Sequence, residues 1–153
     1  MTIWYRAHQS GNVSQVFSGE GGLLVAGRWH YAGTRVIYCS ASIALCTLEW
    51  LSYHGLTVSG FDYYRYAINI PDKLIKKVSQ SMLSKNWMTT PSTDDVRDVA
   101  EKQLFSSNKF LAMAVPSVVV PEEYNLIINP LHGGFSTAYK TIRELGKYKA
   151  PKR

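Results

Sequence analysis

The sequence predicts a single α+β domain with more strand than helix. Its 153 residues suit one domain, and a content of 46% hydrophobic and 18% charged side chains is typical of a globular protein. Strand and helix patterns do not alternate regularly along the chain, which argues against a doubly wound parallel sheet. Because no repeat or low-complexity linker interrupts the chain, we assign residues 1–153 to one domain.

Five segments have the apolar patterns of strands, and glycine or proline punctuates them. They are residues 4–8, 36–39, 61–70, 110–115 and 126–128. One helix is predicted to begin at a cap on Ser40 or Ser42 and to end near Gly55. A second helix begins at residues 93–95, with acidic side chains in its first turn, and reaches about Ser106. Residues 11–22, rich in glycine and serine, predict a loop or a short helix.

Several classes of protein are disfavoured by composition. The first residues lack the basic region and apolar core of a secretory signal, and no apolar run is long enough to span a membrane. We therefore expect a cytoplasmic protein with no membrane association. Cys39 and Cys46 lie in an apolar stretch and are expected to be reduced and buried. The four histidines are scattered, so no metal site is expected.

The net charge of +6 is concentrated near the end of the chain. Residues 140–153 carry six basic side chains against the single acid Glu144. This pattern is typical of a solvated terminus, and the alternative is docking to an acidic protein or to nucleic acid. The rest of the chain is nearly balanced, so we expect no direct nucleic-acid binding.

Glu49 is the only formally charged side chain between residues 36 and 61. Its predicted helix is apolar nearly all round and is therefore expected to be buried. An ionised carboxylate in such a place costs several kcal/mol unless it is paired or hydrogen-bonded. One interpretation is an ion pair with Arg28 or Arg35 that only fixes the fold. The interpretation we favour is a carboxylate held in a cleft for catalysis.

Three further residues are candidates for a site. Arg28 stands between a glycine and Trp29, and its guanidinium suits a phosphate; the alternative is a packing contact on an aromatic ring. Arg6 lies on the first strand, where an isolated arginine usually faces solvent, so its position alone does not indicate a site. Ser117 lies among β-branched residues as either a core hydroxyl or a site residue, without the glycines of a hydrolase elbow. The glycine-rich run at residues 19–22 does not complete a dinucleotide motif, because Leu24 replaces the last glycine.

In order and spacing, these segments together resemble the RES domain, the toxin of RES–Xre type II toxin–antitoxin systems. The motifs that carry the resemblance are Tyr5-Arg6, Gly27-Arg28-Trp29, Val36-Ile37-Tyr38, Leu48-Glu49, Pro116-Ser117-Val118-Val119-Val120-Pro121 and Asn125 through Asn129-Pro130. The sequence departs from the family at His30, where asparagine is frequent. Residues 73–93 are not distinctive.

The resemblance implies a fold and an activity. The fold would be similar to ADP-ribosyltransferases, with small β-sheets packed at an angle around an NAD cleft and flanking helices. The activity would be cleavage of the nicotinamide–ribose bond of NAD, by hydrolysis or phosphorolysis, with NAD as substrate and no cofactor. One alternative is an ADP-ribosyltransferase that modifies a cellular protein. An alternative from another class is a non-enzymatic basic binding module.

The resemblance also implies a partner and a set of site residues. The partner would be an Xre-like antitoxin that covers the active site in a hetero-oligomer. Glu49 would stabilise positive charge on the ribose, with Arg28 and Ser117 as the other catalytic residues. The side chains expected to bind NAD are Arg6, Arg28, Trp29, Tyr38 and Ser117.

Overall fold

A computed structural model describes residues 1–152 and contains one mixed sheet with short helices around it. The strands of this part of the chain are β1 Thr2–His8, β2 Ile37–Ser40, β3 Asp62–Ile70, β4 Ile75–Lys77, β5 Ala112–Pro116, β6 Tyr124–Ile128 and β7 Arg143–Lys149. The α-helices are α1 Val13–Val16, α2 Gly21–Leu24, α3 Ile43–His54, α4 Asp94–Ala100 and α5 Phe135–Tyr139. Helix α4 continues as a π-helical turn over Glu101–Ser106. Short 3₁₀ turns cover Gly55–Val58, Asp72–Leu74 and Gln80–Met82.

The sheet has the order β4-β5-β6-β2-β1-β3-β7 and consists of two halves. Among the strand pairs of residues 1–152, only β4–β5 is parallel. Strands β1 and β3 share a seven-residue antiparallel ladder, whereas β1 meets β2 through the single pair Tyr5↔Ser40. The α+β class is confirmed, and the small sheets that we expected are halves of one continuous sheet joined at this seam.

The predicted strands and helices are all present, within a few residues of their expected ends. The sequence did not predict β4, α5 or β7. The interpretation of the basic C-terminal segment as a solvated terminus is wrong, because β7 forms an antiparallel ladder with β3. The ammonium groups of Lys147 and Lys149 lie 3.4 and 3.0 Å from the carboxylate of Asp62, so this strand uses part of its charge within the fold.

Helix α3 begins and ends where the sequence indicates. The Ser42 side chain accepts a hydrogen bond from the Leu45 amide, which caps the helix, and Gly55 ends it with a positive φ of 63°. The expectation that this helix is buried all round is wrong. Leu45 and Trp50 are buried, but Leu48 on the opposite side is exposed, because only one side of the helix packs on the sheet.

Alternating side chains on the strands separate two large cores. On β6, Leu126 and Ile128 join a cluster that contains Trp4 and Tyr66. Ile127 points to the other face and joins a cluster that α4 and its π-helical turn cover. A third, smaller cluster around Trp50 and Tyr63 lies beneath α3 and fixes that helix to the sheet. Both cysteines are buried and free, as expected. Within residues 1–152, each helix is too short or too polar to cross a lipid bilayer.

Two histidines, His8 half-buried and His30 buried, make the stability depend on pH. Burial, assisted by the charges of Arg6 and His54, lowers the pKa of His8 from 6.5 to about 4. Burial also lowers the pKa of His30. The unfolded chain protonates these two imidazoles more readily than the folded protein does. The free energy of unfolding should therefore be highest above about pH 6.5 and decline as the pH falls towards 4. Urea denaturation between about pH 7 and pH 4 measures this decline.

The variant His8→Gln separates His8 from the other groups that titrate in this range. Removing the imidazole should make the decline in unfolding free energy shallower between about pH 6.5 and pH 4. A pH dependence identical to that of the unmodified protein would contradict the assignment to His8.

Candidate active site

The carboxylate of Glu49 is held by two side chains from other parts of the chain. Its Oε1 accepts one hydrogen bond from Ser117 Oγ at 2.6 Å and another from Asn125 Nδ2 at 2.7 Å. Glu49 is half-buried on α3, and the other carboxylate oxygen, Oε2, receives no hydrogen bond from residues 1–152. One oxygen is therefore fixed by the protein, while the second is available to a ligand.

Ser117 orients the carboxylate and has no exposed surface of its own. Its Oγ accepts hydrogen bonds from the amides of Val119 and Val120 at 3.0 and 3.1 Å. Both lone pairs are thus used, and the single hydroxyl proton goes to Glu49. Because Ser117 is 0% exposed, this geometry places it against Glu49 rather than in the contact with NAD that the resemblance implies.

Asn125 belongs to the site, although the sequence indicates it only as part of a longer motif. Its Oδ1 accepts a hydrogen bond from Ser40 Oγ at 2.7 Å, and its Nδ2 donates to Glu49. The sheet register brings the two together, because Ser40 on β2 is paired with Asn125 on β6. These partners are 85 residues apart in the chain, so no local pattern could have joined them.

The alternative in which Glu49 forms an ion pair with Arg28 or Arg35 is wrong. No Lys or Arg nitrogen of residues 1–152 lies within 4 Å of its carboxylate, and Arg35 instead faces Glu20 at 3.9 Å. Arg28 is nevertheless close enough for the charge to matter. Burial lowers the pKa of Arg28, and the negative charge of Glu49 partly opposes that decrease. The site therefore contains a carboxylate and a nearby guanidinium that do not neutralise each other by contact.

A loop that the sequence left without a role fixes the guanidinium of Arg28. Its Nη1 donates to the carbonyls of Trp87 and Thr89 at 2.9 and 2.8 Å, and its Nη2 donates to Thr90 Oγ1 at 3.1 Å. In return, Ser92 Oγ donates to the Arg28 carbonyl. The cation–π alternative for Arg28 is not what holds it. Carbonyl oxygens have no side-chain signature, which is why residues 73–93 did not stand out.

Close packing around Gly27 shapes the loop that bears Arg28. A Cβ atom at Gly27 would lie 2.6 Å from His30 Cε1 and 2.9 Å from Tyr38 Oη, closer than real contacts allow. The Gly27 carbonyl also accepts a hydrogen bond from Arg97 Nε at 2.9 Å. Only glycine fits this approach, and Arg97 is a positioning residue that the sequence did not indicate.

Tyr38 and His30 form a neutral pair that supports the same loop. The Tyr38 hydroxyl accepts from the Trp29 amide at 3.3 Å and donates its own proton to His30 Nδ1 at 2.7 Å, because the other ring nitrogen of the neutral imidazole must carry the proton that faces a carbonyl. His30 Nε2 then donates to the Val25 carbonyl at 2.8 Å. This network assigns the imidazole tautomer. Burial raises the pKa of Tyr38 and lowers that of His30, which keeps both groups uncharged.

Arg6 is tied to the seam of the sheet. Its Nε donates to the Val16 carbonyl at 3.1 Å and its Nη1 to the Tyr38 carbonyl at 2.7 Å. Its Nη2 has no hydrogen-bond partner among residues 1–152. This atom is not fully enclosed by the protein. Burial lowers the pKa of this guanidinium, but arginine remains charged at neutral pH. Among residues 1–152, Nη2 of Arg6 thus keeps donor capacity that no hydrogen bond uses.

The structure places Trp29 in the core rather than on a binding surface. The side chain is 2% exposed and packs in the cluster that includes Trp87, Val96 and Met113. A ring with so little free surface cannot form a wall of a binding site, so we assign Trp29 to packing. Within residues 1–152, no group of three His, Cys, Asp or Glu side chains is arranged to hold a metal ion.

A separate groove of about 290 Å³ lies away from these residues. Trp4, Ala114 and Tyr124 line it, and they belong to the face of the sheet that carries the first core. Asn125 points to the opposite face, because side chains alternate along a strand. None of the residues that hold Glu49 lines this groove, so the candidate site rests on its hydrogen bonds and charges.

Fold and site together define an α+β domain with one half-buried carboxylate, held through a single oxygen, with the guanidinium of Arg28 near enough for the two charges to interact. A family model described as the RES domain matches residues 3–146. The chain belongs to the RES domain family, and the expected resemblance is confirmed.

Relatives of the chain cover most of its length. A protein named Toxin Res from Photorhabdus laumondii is 32% identical over 144 residues, covering 94% of this chain and 91% of that protein. Another Toxin Res, from Yersinia enterocolitica, is 30% identical and covers 92% of each chain. A Sphingobium protein named Prs ADP-ribosylating toxin is 33% identical over 120 residues, covering 75% of this chain and 73% of that protein.

The fold has a counterpart among solved structures. A chain of the Mycobacterium tuberculosis MbcT–MbcA toxin–antitoxin complex superimposes with a TM-score of 0.72 at 14% identity, covering 98% of this chain and 84% of that one. At this identity the likeness concerns the fold alone, and it agrees with the single α+β domain described above.

Proposed function

We propose that this chain is the toxin of a cytoplasmic type II toxin–antitoxin system and that it cleaves the nicotinamide–ribose bond of NAD. The observation that carries the proposal is the Glu49 carboxylate, which has Oε1 fixed by Ser117 and Asn125 and Oε2 free. A carboxylate prepared in this way suits a reaction in which positive charge develops on a sugar. The curated relatives named Toxin Res support the assignment as a toxin.

The chemistry requires little more than one fixed negative charge. Nicotinamide in NAD is a cationic leaving group, so its departure needs no general acid. As the bond from nicotinamide to C1′ of the ribose breaks, positive charge builds up on the ribose. The carboxylate of Glu49 stabilises that charge, and its free Oε2 accepts hydrogen bonds from the ribose hydroxyls. The charge on the carboxylate needs no reorganisation during the reaction, because two donors already hold it.

The arginines supply positive charge for the phosphates of NAD. Arg28 and Arg6 are both held through carbonyl oxygens, and no acidic side chain of residues 1–152 forms an ion pair with either of them. Guanidinium groups bind phosphate oxygens with directed hydrogen bonds. Tyr38, whose hydroxyl is occupied by His30 and the loop, contributes its ring as a wall for the nicotinamide.

The acceptor of the ADP-ribosyl group distinguishes two forms of the proposal. Water or phosphate would make the protein an NAD glycohydrolase or phosphorylase, and a protein side chain would make it an ADP-ribosyltransferase. The Sphingobium relative named Prs ADP-ribosylating toxin favours keeping the second form. Incubation of the pure protein with NAD, with and without phosphate, followed by mass spectrometry identifies the product. Release of no nicotinamide, from NAD alone or with cell extract, would overturn the proposal.

A non-enzymatic binding module is less well supported by the structure. Its main argument was the basic C-terminal segment, but β7 is a strand of the sheet, and Lys147 and Lys149 face Asp62. A docking tail would carry its charge free of the fold. NAD turnover by the isolated domain, without nucleic acid or a partner protein, separates the enzyme from the module.

We also propose an Xre-like antitoxin as partner, forming a hetero-oligomer that covers the site. The neighbour in the solved MbcT–MbcA complex is a toxin bound to its antitoxin. In this chain, exposed apolar side chains lie within three residues of site residues or of the loop that holds Arg28. They are Val25, Leu48, Met88 and Val119. Apolar groups exposed around a polar site are typical of an interface.

Acidic substitutions among these four exposed apolar residues should weaken binding of the antitoxin without stopping turnover of NAD. The double variant Val25→Asp with Val119→Asp is expected to bind the cognate antitoxin at least about tenfold more weakly, because an interface cannot bury unpaired carboxylates cheaply. Calorimetry with the purified antitoxin measures the affinity. Leu131→Asp, at an exposed apolar residue with no such neighbour, is the matched control. Equal binding by all variants would contradict the proposed surface.

A further inference from the structure

We propose that Asn125, oriented by Ser40, is a positioning residue that fixes the direction in which the Glu49 carboxylate faces its substrate. The inference rests on the function proposed above and extends it to two residues to which no role has been assigned. Its basis is a chain of hydrogen bonds that runs from Ser40 Oγ to Asn125 Oδ1 and from Asn125 Nδ2 to Glu49 Oε1.

The direction of each hydrogen bond in this chain is determined by chemistry. An ionised carboxylate only accepts, so the NH₂ group of Asn125 faces Glu49, and the Ser40 hydroxyl donates at 2.7 Å to the Oδ1 atom on the other side of the amide. An NH₂ group only donates, and Ser117 Oγ also donates to the same oxygen. Oε1 is therefore a double acceptor, as an ionised carboxylate allows. The opposite amide orientation would face an oxygen towards Glu49 and would require a proton between them.

Ser40 connects this chain of hydrogen bonds to the rest of the site. It forms the single β1–β2 pair with Tyr5, next to Arg6, and it is two residues from Tyr38, whose carbonyl holds Arg6. Asn125 and Ser40 thus connect the carboxylate to the seam of the sheet through hydrogen bonds, whereas Ser117 holds it from the turn after β5. With only one of these two donors, the carboxylate could rotate about its remaining hydrogen bond.

Substitution of Asn125 by Asp changes one group of the network and keeps its size. Two carboxyl groups would then share a site, and the repulsion between their charges favours the form of the pair that holds a proton. Arg28 is the cationic group whose pKa responds to Glu49, and Glu123 lies at the cap of α3, where it accepts from Ser42. Neither changes in the variant, so a shift in the pH profile reports the new pair.

Steady-state kinetics across pH test the proposal. For Asn125→Asp we expect kcat at neutral pH to fall about 10- to 100-fold, KM to change less than about threefold, and the acidic limb of the kcat profile to move up by at least about one pH unit. Ser40→Ala should lower kcat several-fold, and Ser40→Thr, which keeps the hydroxyl, should restore it. Asn129→Ala removes another buried amide beyond the end of β6 and should leave the pH profile unchanged.

A second readout separates this inference from the proposed function. Carbon-13 NMR of labelled glutamate side chains follows the titration of Glu49 without any substrate. The inference predicts that Glu49 titrates at higher pH in Asn125→Asp and Ser40→Ala than in the unmodified protein. Absence of this shift, or an equal shift in Asn129→Ala, would overturn it. If the unmodified protein releases no nicotinamide, the proposed function fails, and the NMR titration still decides the role of Asn125.

Discussion

Replacing Glu49 by Gln should lower the rate of nicotinamide release by about two to four decades, the range typical of removing a preorganised charge. The variant retains the amide oxygen that Ser117 and Asn125 can hold, so the local hydrogen bonds of Oε1 persist. What disappears is the negative charge opposite the ribose and the free acceptor oxygen Oε2. The loss should therefore appear in kcat, with little change in melting temperature. Chromatographic detection of nicotinamide measures the rate.

Glu123→Gln is the matched control for this experiment. Its carboxylate accepts from Ser42 Oγ at 3.1 Å near the start of the same helix, and only its main-chain carbonyl, which the substitution leaves in place, meets the Glu49 network by accepting from the Ser117 amide at 2.9 Å. Its turnover should stay within about threefold of the unmodified protein, because a rim charge contributes little. If Glu49→Gln keeps full turnover while the unmodified protein is active, the mechanism is wrong even though the family is correct.

Glu49 could be found from the sequence because its signal is local. A single charge in an apolar stretch is visible without any knowledge of the fold, and its energetic cost already indicates a reason for keeping it. Asn125 and Ser40 have no such signal. Each is a small polar residue of an ordinary strand, and their joint role follows only from the register of β2 with β6.

Strands β4 and β7 were missed for a related reason. They lie at the two edges of the sheet and carry basic side chains such as Lys76, Arg143 and Lys147. Edge strands often carry lysines, which discourage pairing with other chains, so they lack the apolar alternation that marks a central strand. Their existence depends on the ladders with β5 and β3, which are long-range contacts.

Replacing Trp29 by Ala should reduce the free energy of unfolding by about 3–5 kcal/mol, as expected for deleting a large buried aromatic side chain. The ring is 2% exposed and packs in the cluster that contains Trp87, so its loss leaves a cavity between two loops. Those are the loop of Arg28 and the loop whose carbonyls hold the Arg28 guanidinium. Urea denaturation, with turnover normalised to the folded fraction, measures both consequences.

Trp29→Phe distinguishes packing from binding. Phenylalanine fills much of the cavity but lacks the indole, so it should recover more than half of the lost stability and keep KM for NAD within about threefold. If Trp29 only packs in the core, its substitution lowers the stability of the protein and the order of the two loops together, while each correctly folded molecule retains its affinity for NAD. Unchanged stability combined with a KM raised by tenfold or more would place the indole against the substrate, as the family resemblance had implied, and would overturn its assignment to the core.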